Sequence, residues 1–175
     1  MSLSRRRMLA LGGGLCAALS LPRNPYAATV EVIEMRGTAR GDQIWFAPVG
    51  LAVAPGTTLR FVNRDPGNSH TATAYHPANF DRQRRIPAGA APWDSDFLLP
   101  GDSFEVTLSV PGVYDYYCIP HEHAGMTGRI VVGTPQVSGF EGPAGPGDDL
   151  PPEAAAALPP VDAILARGRI DGEDR

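Results

Sequence analysis

Between residues 29 and 133, short apolar stretches alternate with turns rich in proline and glycine. At 103–110 every second residue is apolar, and 30–35 is largely alternating, which is typical of strands that bury one face. The turns at 54–57, 99–102 and 110–112 each contain a Pro-Gly pair, which separates strands rather than continuing them. Seven stretches are predicted as strands: 30–35, 43–47, 50–53, 58–63, 103–110, 113–118 and 128–133. Seven or eight such strands predict an all-β sandwich.

Two segments interrupt this rhythm. The connection at 75–98 is long for a compact domain and contains Arg82, Arg84, Arg85 and Trp93. Loops of this length are usually functional or disordered. Residues 134–175 are rich in proline and glycine and are predicted to form an irregular tail, within which 161–167 is compatible with one or two helical turns.

The first 28 residues are predicted to be an export signal rather than part of the fold. A run of three arginines precedes an uncharged apolar stretch, and small residues follow near residue 28. The paired arginines favour twin-arginine export. A lipid anchor on Cys16 is rejected because Leu15 precedes it where a small residue is required. The predicted organisation is therefore a signal at 1–28, a domain at 29–133 and a tail at 134–175, in a periplasmic or otherwise exported protein without a stable membrane span.

Removal of the signal makes the protein strongly acidic. The signal contains four of the 15 basic residues and no acidic residue, so 11 basic and 19 acidic residues remain, a formal net charge of −8. This charge disfavours nucleic-acid binding. One cysteine, Cys118, remains; it is too little for a disulfide framework, and an exported free thiol suggests a metal ligand.

The residues around Cys118 indicate which metal. A thiolate (Cys118), an imidazole (His121) and a thioether (Met126) lie within nine residues, and a second imidazole, His70, lies at an earlier strand end. Two imidazoles, one thiolate and a weak thioether are the ligand set of blue-copper sites. Cys118 and His121 alone would also allow zinc, but structural zinc does not use a thioether, so Met126 favours copper.

These motifs resemble those of the cupredoxins of the plastocyanin, pseudoazurin and halocyanin group. The resemblance covers about residues 30–133 and depends on 114–121 and 124–132, where Cys118, His121 and Met126 match the family pattern Cys-x2-His-x4-Met. It implies a Greek-key sandwich of about eight strands with one type 1 copper near one end, held by His70, Cys118, His121 and Met126. Three features depart from the family: Thr71 replaces a common asparagine, the 75–98 loop is elaborate, and the tail is additional.

Several residues near the motif have more than one interpretation. His123 is expected to face solvent, and His76 to have a loop or supporting role, with a second copper contact as the alternative. Tyr117 either packs or, as the resemblance to plastocyanins implies, offers an exposed electron path. The three arginines of the 75–98 loop are either solvated or steer an acidic partner.

The predicted function is a monomeric, non-enzymatic carrier that cycles Cu(II)/Cu(I) between redox protein partners, which it meets at the exposed ring edge of His121. The alternative is a periplasmic copper carrier or chaperone that delivers the ion, with His76 and His123 assisting transfer. A copper enzyme module is disfavoured because one domain with one ligand set lacks further histidines for a catalytic site.

Overall fold

The computed structural model describes residues 29–41 and 43–172, so the predicted export signal at 1–28 lies outside the described residues. The strands form two sheets that pack face to face. In the first sheet the spatial order is β2 (Ile44–Ala47), β1 (Val30–Gly37), β4 (Thr57–Asn63) and β6 (Ser103–Leu108). The β1 and β4 strands are parallel, and the other two pairs are antiparallel.

The second sheet contains five strands. Their order is β5 (Thr73–Ala74), β7 (Gly112–Tyr117), β8 (Thr127–Val132), β3 (Gly50–Val53) and β9 (Arg169–Ile170). The seven predicted strands correspond to β1–β4 and β6–β8, and the predicted sandwich is confirmed. The two-residue strands β5 and β9 are too short to produce an alternating pattern in the sequence.

The core between the sheets is aromatic at its centre. Tyr116 of β7 makes edge-to-face contacts with Phe46 and Phe61, at ring-centroid distances of 4.7 and 5.2 Å. Such pairs stabilise a core beyond the apolar area they bury. Cys118 and Met126 belong to the same buried cluster, so the predicted metal site is continuous with the core.

The tail packs on the outer face of the second sheet. It contains two helices, α1 (Pro152–Ala157) and α2 (Val161–Arg167), before β9. The second helix coincides with the helical turns suggested by the sequence. Its Ile164 is fully buried against Val113 and Val131, and Gly50 provides the space for this side chain. Because both faces of β7 and β8 are covered, all of their residues are buried, as in parallel sheets covered by helices. No helix among the described residues is long and apolar enough to cross a membrane.

Arginines of the 75–98 loop connect it to the sheet and the tail. The Arg85 side chain is 4% exposed and donates to Asp115 of β7 at 3.0 Å and to the carbonyl of Gly145 in the tail at 2.8 Å. Arg84 pairs with Glu141 of the tail at 2.7 Å. The Asp115 carboxylate is fully buried and also accepts two bonds from Arg129. Arg85 is therefore buried rather than solvated, whereas Arg84 is exposed, as one interpretation expected, and joins the loop to the tail at the surface.

A pH-dependent contribution is expected where Glu141 joins the loop to the tail. The Ala88 N–H and Arg84 donate to its carboxylate and lower its pKa from the ordinary value of 4.5. Glu141→Gln should lower the free energy of unfolding at pH 7 by about 0.5–1 kcal/mol, because the exposed pair is screened by solvent. A carboxyl group with a lowered pKa stabilises the fold at higher pH, and this stabilisation is lost as the pH falls through the folded-state pKa.

Denaturant unfolding of wild type and Glu141→Gln at pH 7 and pH 3 measures this contribution. The difference between the two proteins should be larger at pH 7 than at pH 3. A difference that is the same at both pH values would show that the ionised carboxylate is not responsible.

Candidate metal centre

Three predicted ligands meet at one end of the sandwich. His70 follows β4 after a short loop, Cys118 follows β7, and His121 lies in the 3₁₀ helix Ile119–Ala124. The Nδ1 atoms of His70 and His121 are 3.2 Å apart, and they lie 3.6 and 3.4 Å, respectively, from the Cys118 Sγ. These donors form one potential metal-binding group. Metal–nitrogen and metal–sulfur bonds are about 2.0–2.3 Å long, so a triangle of this size can surround one ion.

The backbone of residues 118–126, here called the ligand loop, fixes two of these donors. The Cys118 N–H donates to the Met126 carbonyl at 3.0 Å, and the Met126 N–H donates to the His121 carbonyl at 3.1 Å. Gly125 has φ +78°, a conformation that side chains disfavour, and lets the chain turn back toward Met126. Met126 is fully buried next to Cys118 in the core. The loop thus brings the predicted thioether residue back to the thiol.

Thr71 joins the two segments that supply the ligands. Its N–H donates to the Cys118 Sγ at 3.3 Å, and its hydroxyl accepts the Ile119 N–H at 2.9 Å. A hydrogen bond to the sulfur orients the donor and influences its electron density. The substitution of threonine for the family's common asparagine therefore leaves a polar link between His70 and the ligand loop.

Burial sets the protonation of the metal-free site. It raises the pKa of Cys118 to about 11, against hydrogen bonds from Thr71 and His121 that favour the thiolate. Burial also lowers the pKa of His70, although the nearby Asp65 acts in the opposite direction. It lowers the pKa of His121 as well, and the charge of His70 adds to this effect. Both imidazoles are thus neutral and able to bind metal at neutral pH, whereas the thiol must release a proton to a bound ion.

Comparison with known proteins decides between copper and zinc. Residues 33–133 match the family model described as copper binding proteins, plastocyanin/azurin family. The chain belongs to this family. Its cofactor is one type 1 copper, and the donor set of two imidazoles, one thiol and an adjacent thioether residue fits that ion.

The relatives extend over most of the chain. It is 36% identical over 137 residues to plastocyanin from Prochlorothrix hollandica, covering 75% of this chain and 95% of that protein. It is 33% identical over 135 residues to chloroplastic plastocyanin from Physcomitrium patens, covering 75% and 74%. A pseudoazurin structure from Sinorhizobium meliloti has 30% identity and a TM-score of 0.53, covering 79% of this chain and 96% of that chain. Like these relatives, the protein is a blue-copper electron carrier and not an enzyme.

The other histidines lie outside the donor triangle. His123 is exposed, as expected. His76 is partly exposed, and its Nδ1 accepts the Ala78 N–H at 3.1 Å within its own loop. His76 therefore has the expected loop role, and its Nδ1 is not directed to the copper site.

Tyr117 packs and does not form an exposed electron path. It is 2% exposed, and its ring stacks on Tyr75 at a centroid distance of 4.3 Å. The Arg82 guanidinium lies over both rings, at 5.3 Å from Tyr117 and 5.4 Å from Tyr75. Trp93 of the same loop is 6% exposed and belongs to the core. The 75–98 loop thus covers the Tyr117 side of the site, for which the sequence allowed either a packed or an exposed ring.

Glu122 connects the ligand loop to the 75–98 loop and, through Arg82, to the tail. Its buried carboxylate accepts the Tyr75 hydroxyl at 2.8 Å and two bonds from Arg82, at 2.6 and 2.9 Å. Arg82 also donates to the Asp149 side chain and carbonyl in the tail. The sequence does not reveal this network, because a glutamate between two histidines on a polar loop has the same pattern when it is exposed.

The Arg82 network should contribute to stability rather than to partner steering. Arg82→Gln is expected to lower the free energy of unfolding by about 2–3 kcal/mol, because it leaves the buried Glu122 carboxylate without its cation. Arg60→Gln is a matched control, since Arg60 pairs with Glu105 on the surface and should contribute at most about 1 kcal/mol. Urea unfolding of the metal-free variants measures both values. Equal losses would contradict the bracing role of Arg82.

Proposed function

We propose that this protein is an exported single-electron carrier whose copper ligands are His70, Cys118, His121 and Met126. The observation that carries the assignment is the triangle formed by the two Nδ1 atoms and the Cys118 Sγ, with the buried Met126 beside it. Export is proposed from the signal pattern at 1–28. Relatives that include a pseudoazurin and plastocyanins support the electron-transfer assignment.

The bound copper would supply a Cu(II)/Cu(I) couple, and the protein fixes the donors for both oxidation states. The thiolate and thioether are soft donors that suit Cu(I), and imidazoles accept both states. Backbone bonds and Thr71 hold the donors in place before metal binding. Little rearrangement is then needed when an electron enters or leaves, which keeps transfer fast.

His121 is the proposed point of electron entry and exit. His70, Cys118 and Met126 are fully buried, whereas His121 is partly exposed. The route through Tyr117 is covered by Tyr75 and Arg82. A partner therefore approaches the copper most closely at the exposed edge of the His121 ring.

The surface beside the site favours a partner with a basic rim around an apolar patch. Leu98 pairs with His70 through two backbone hydrogen bonds, and its neighbours Phe97 and Leu99 are 54% and 61% exposed. Three carboxylates in the same segment are also exposed: Asp94, Asp96 and Asp102. Adjacent apolar and acidic groups near the copper suit a lysine- or arginine-rich redox protein. The net charge of −8 without the signal agrees with this polarity.

Ligand burial argues against copper delivery as the main function. A protein that donates its ion needs ligands that a recipient can reach and replace, but the His70, Cys118 and Met126 side chains are enclosed. His123 of the ligand loop is exposed, but it lies outside the donor triangle. Tight retention of copper in the presence of a chelator would support electron transfer, and rapid loss would support delivery.

The first test is the visible spectrum of the copper-loaded protein. A short bond between copper and the Cys118 thiolate should produce an intense charge-transfer band in the oxidised protein. Cys118→Ser should abolish this band, while His123→Ala, at an exposed position in the same loop, should keep it. A colourless copper-loaded wild type, or a band that persists in Cys118→Ser, would contradict the assignment.

The docking surface can be tested with a lysine-rich c-type cytochrome as a probe partner. Replacing Phe97 and Leu99 together with serine should slow electron transfer about tenfold or more, without changing the visible band, because these side chains form the apolar contact. Val137→Ser is the matched control. Val137 is also exposed, but it follows the last residue of β8, whereas Met126 directly precedes the first residue of that strand. The wild-type rate should fall as salt rises, because screening weakens attraction between opposite charges. A rate that rises with salt, or equal effects of the variants, would place docking elsewhere.

A further inference from the structure

A buried carboxylate lies directly behind one of the proposed copper ligands. Asp65 is 1% exposed, and its Oδ2 is 3.0 Å from the Nε2 of His70, the ring nitrogen that faces away from Cys118 and His121. The Nε2 donates to this oxygen, since a carboxylate accepts and a neutral imidazole has one N–H. The lone pair is then on Nδ1, the atom of His70 that faces the other two donors.

The loop before His70 is organised around this carboxylate. The Gly67 N–H donates to Oδ1 at 2.8 Å, and the Asn68 side chain donates to Oδ2 at 2.8 Å. The Asp65 N–H donates to the Asn63 side chain, whose amide donates in turn to the carbonyls of Asn68 and Leu98. Three N–H donors, from Gly67, Asn68 and His70, thus converge on this buried carboxylate, an arrangement that favours its charged form.

The neighbouring strand leaves room for this arrangement. A Cβ on Gly37, at the end of β1, would overlap the Asp65 carboxylate. Gly37 has an ordinary backbone conformation, so the backbone itself does not require glycine. The missing side chain is explained by the close approach of Asp65, which is an independent indication that the carboxylate position is built into the fold.

We propose that Asp65 is a positioning residue of the copper site, which fixes the tautomer and ring orientation of His70 and places a negative charge behind it. The proposal depends on the proposed copper ligands. The charge makes the imidazole a stronger donor and stabilises Cu(II) more than Cu(I), because Cu(II) has the larger positive charge. Asp65 therefore lowers the reduction potential of the bound copper. A carboxylate that only closed the turn through Gly67 and Asn68 would not affect the potential.

Asp65→Asn tests the charge while keeping an oxygen that can accept from His70. Replacing a group that hydrogen-bonds to a metal ligand commonly alters metal affinity about 10–100-fold. We expect the ratio of Cu(II) to Cu(I) affinity to fall at least about tenfold, which for one electron raises the potential by about 59 mV. The blue band should persist. Glu105→Gln is the control, because Glu105 is an exposed carboxylate on β6 and should leave the potential nearly unchanged.

A second variant and a second measurement test the geometry. Gly37→Ala should displace the carboxylate and raise the potential in the same direction. In the metal-free protein, nitrogen NMR should show His70 as the Nε2–H tautomer in wild type and a mixture of tautomers in Asp65→Ala. If only one of Asp65→Asn and Gly37→Ala folds, the reduction potential of that variant alone tests the role of Asp65.

The outcomes separate this proposal from the assignment of the site. An unchanged potential in blue Asp65→Asn or Gly37→Ala would overturn the role of Asp65 and leave the copper site intact. Absence of the blue band in wild type would overturn the copper assignment itself. Wild-type His70 in the Nδ1–H tautomer would overturn the orienting role.

Discussion

The structure depends on holding three donor atoms within 3.2–3.6 Å of one another at the edge of an apolar core. The Nδ1 atoms of the two imidazoles face the same small region, and the thiol must lose a proton there. Neither arrangement is favoured in the absence of metal, so the fold must impose it. His70 follows β4 of the first sheet, whereas Cys118 and His121 follow β7 of the second sheet. The sandwich brings the ends of these two strands together.

Rigidity at this edge is supplied by groups that do not bind metal. Thr71 connects the His70 segment to the Cys118 sulfur, and Asp65 anchors the outer nitrogen of His70. Glu122 joins the ligand loop to Arg82, and through Arg82 to the tail. The two segments that distinguish this chain from the family pattern therefore act together as a brace. They also cover Tyr117, which leaves the partly exposed His121 as the nearest approach to copper.

The periodicity of the sequence predicts the seven longer strands because each has enough residues to alternate or to form a continuous apolar run. It does not predict β5 and β9, which have two residues each, or α1, whose alanines and prolines have no amphipathic pattern. The spacing of Cys118, His121 and Met126 predicts the ligand loop because those residue types are rare and local. His70 has no comparable spacing to identify it, so its assignment depends on its position at a strand end and on the family resemblance.

The supporting residues could not be predicted, for a physical reason. Arg82, Arg85 and Glu122 have the residue types and loop positions of solvated charges, and only their partners in distant segments make them internal. Asp65 lies in a turn-forming sequence, Asp-Pro-Gly-Asn, which accounts for an aspartate without any reference to His70. For the charged side chains, pairing across 30 residues (Arg85 with Asp115) or 40 residues (Arg82 with Glu122) determines the role, and the local sequence pattern does not contain it.

If electron transfer is the function, the protein holds one ligand set for both oxidation states of copper. X-ray absorption at the copper edge, measured on the oxidised and reduced protein, tests this. We expect two nitrogen donors and one short sulfur donor in both states, with only small changes in bond length. Loss of a donor on reduction at neutral pH, or a site without a short copper–sulfur bond, would contradict it.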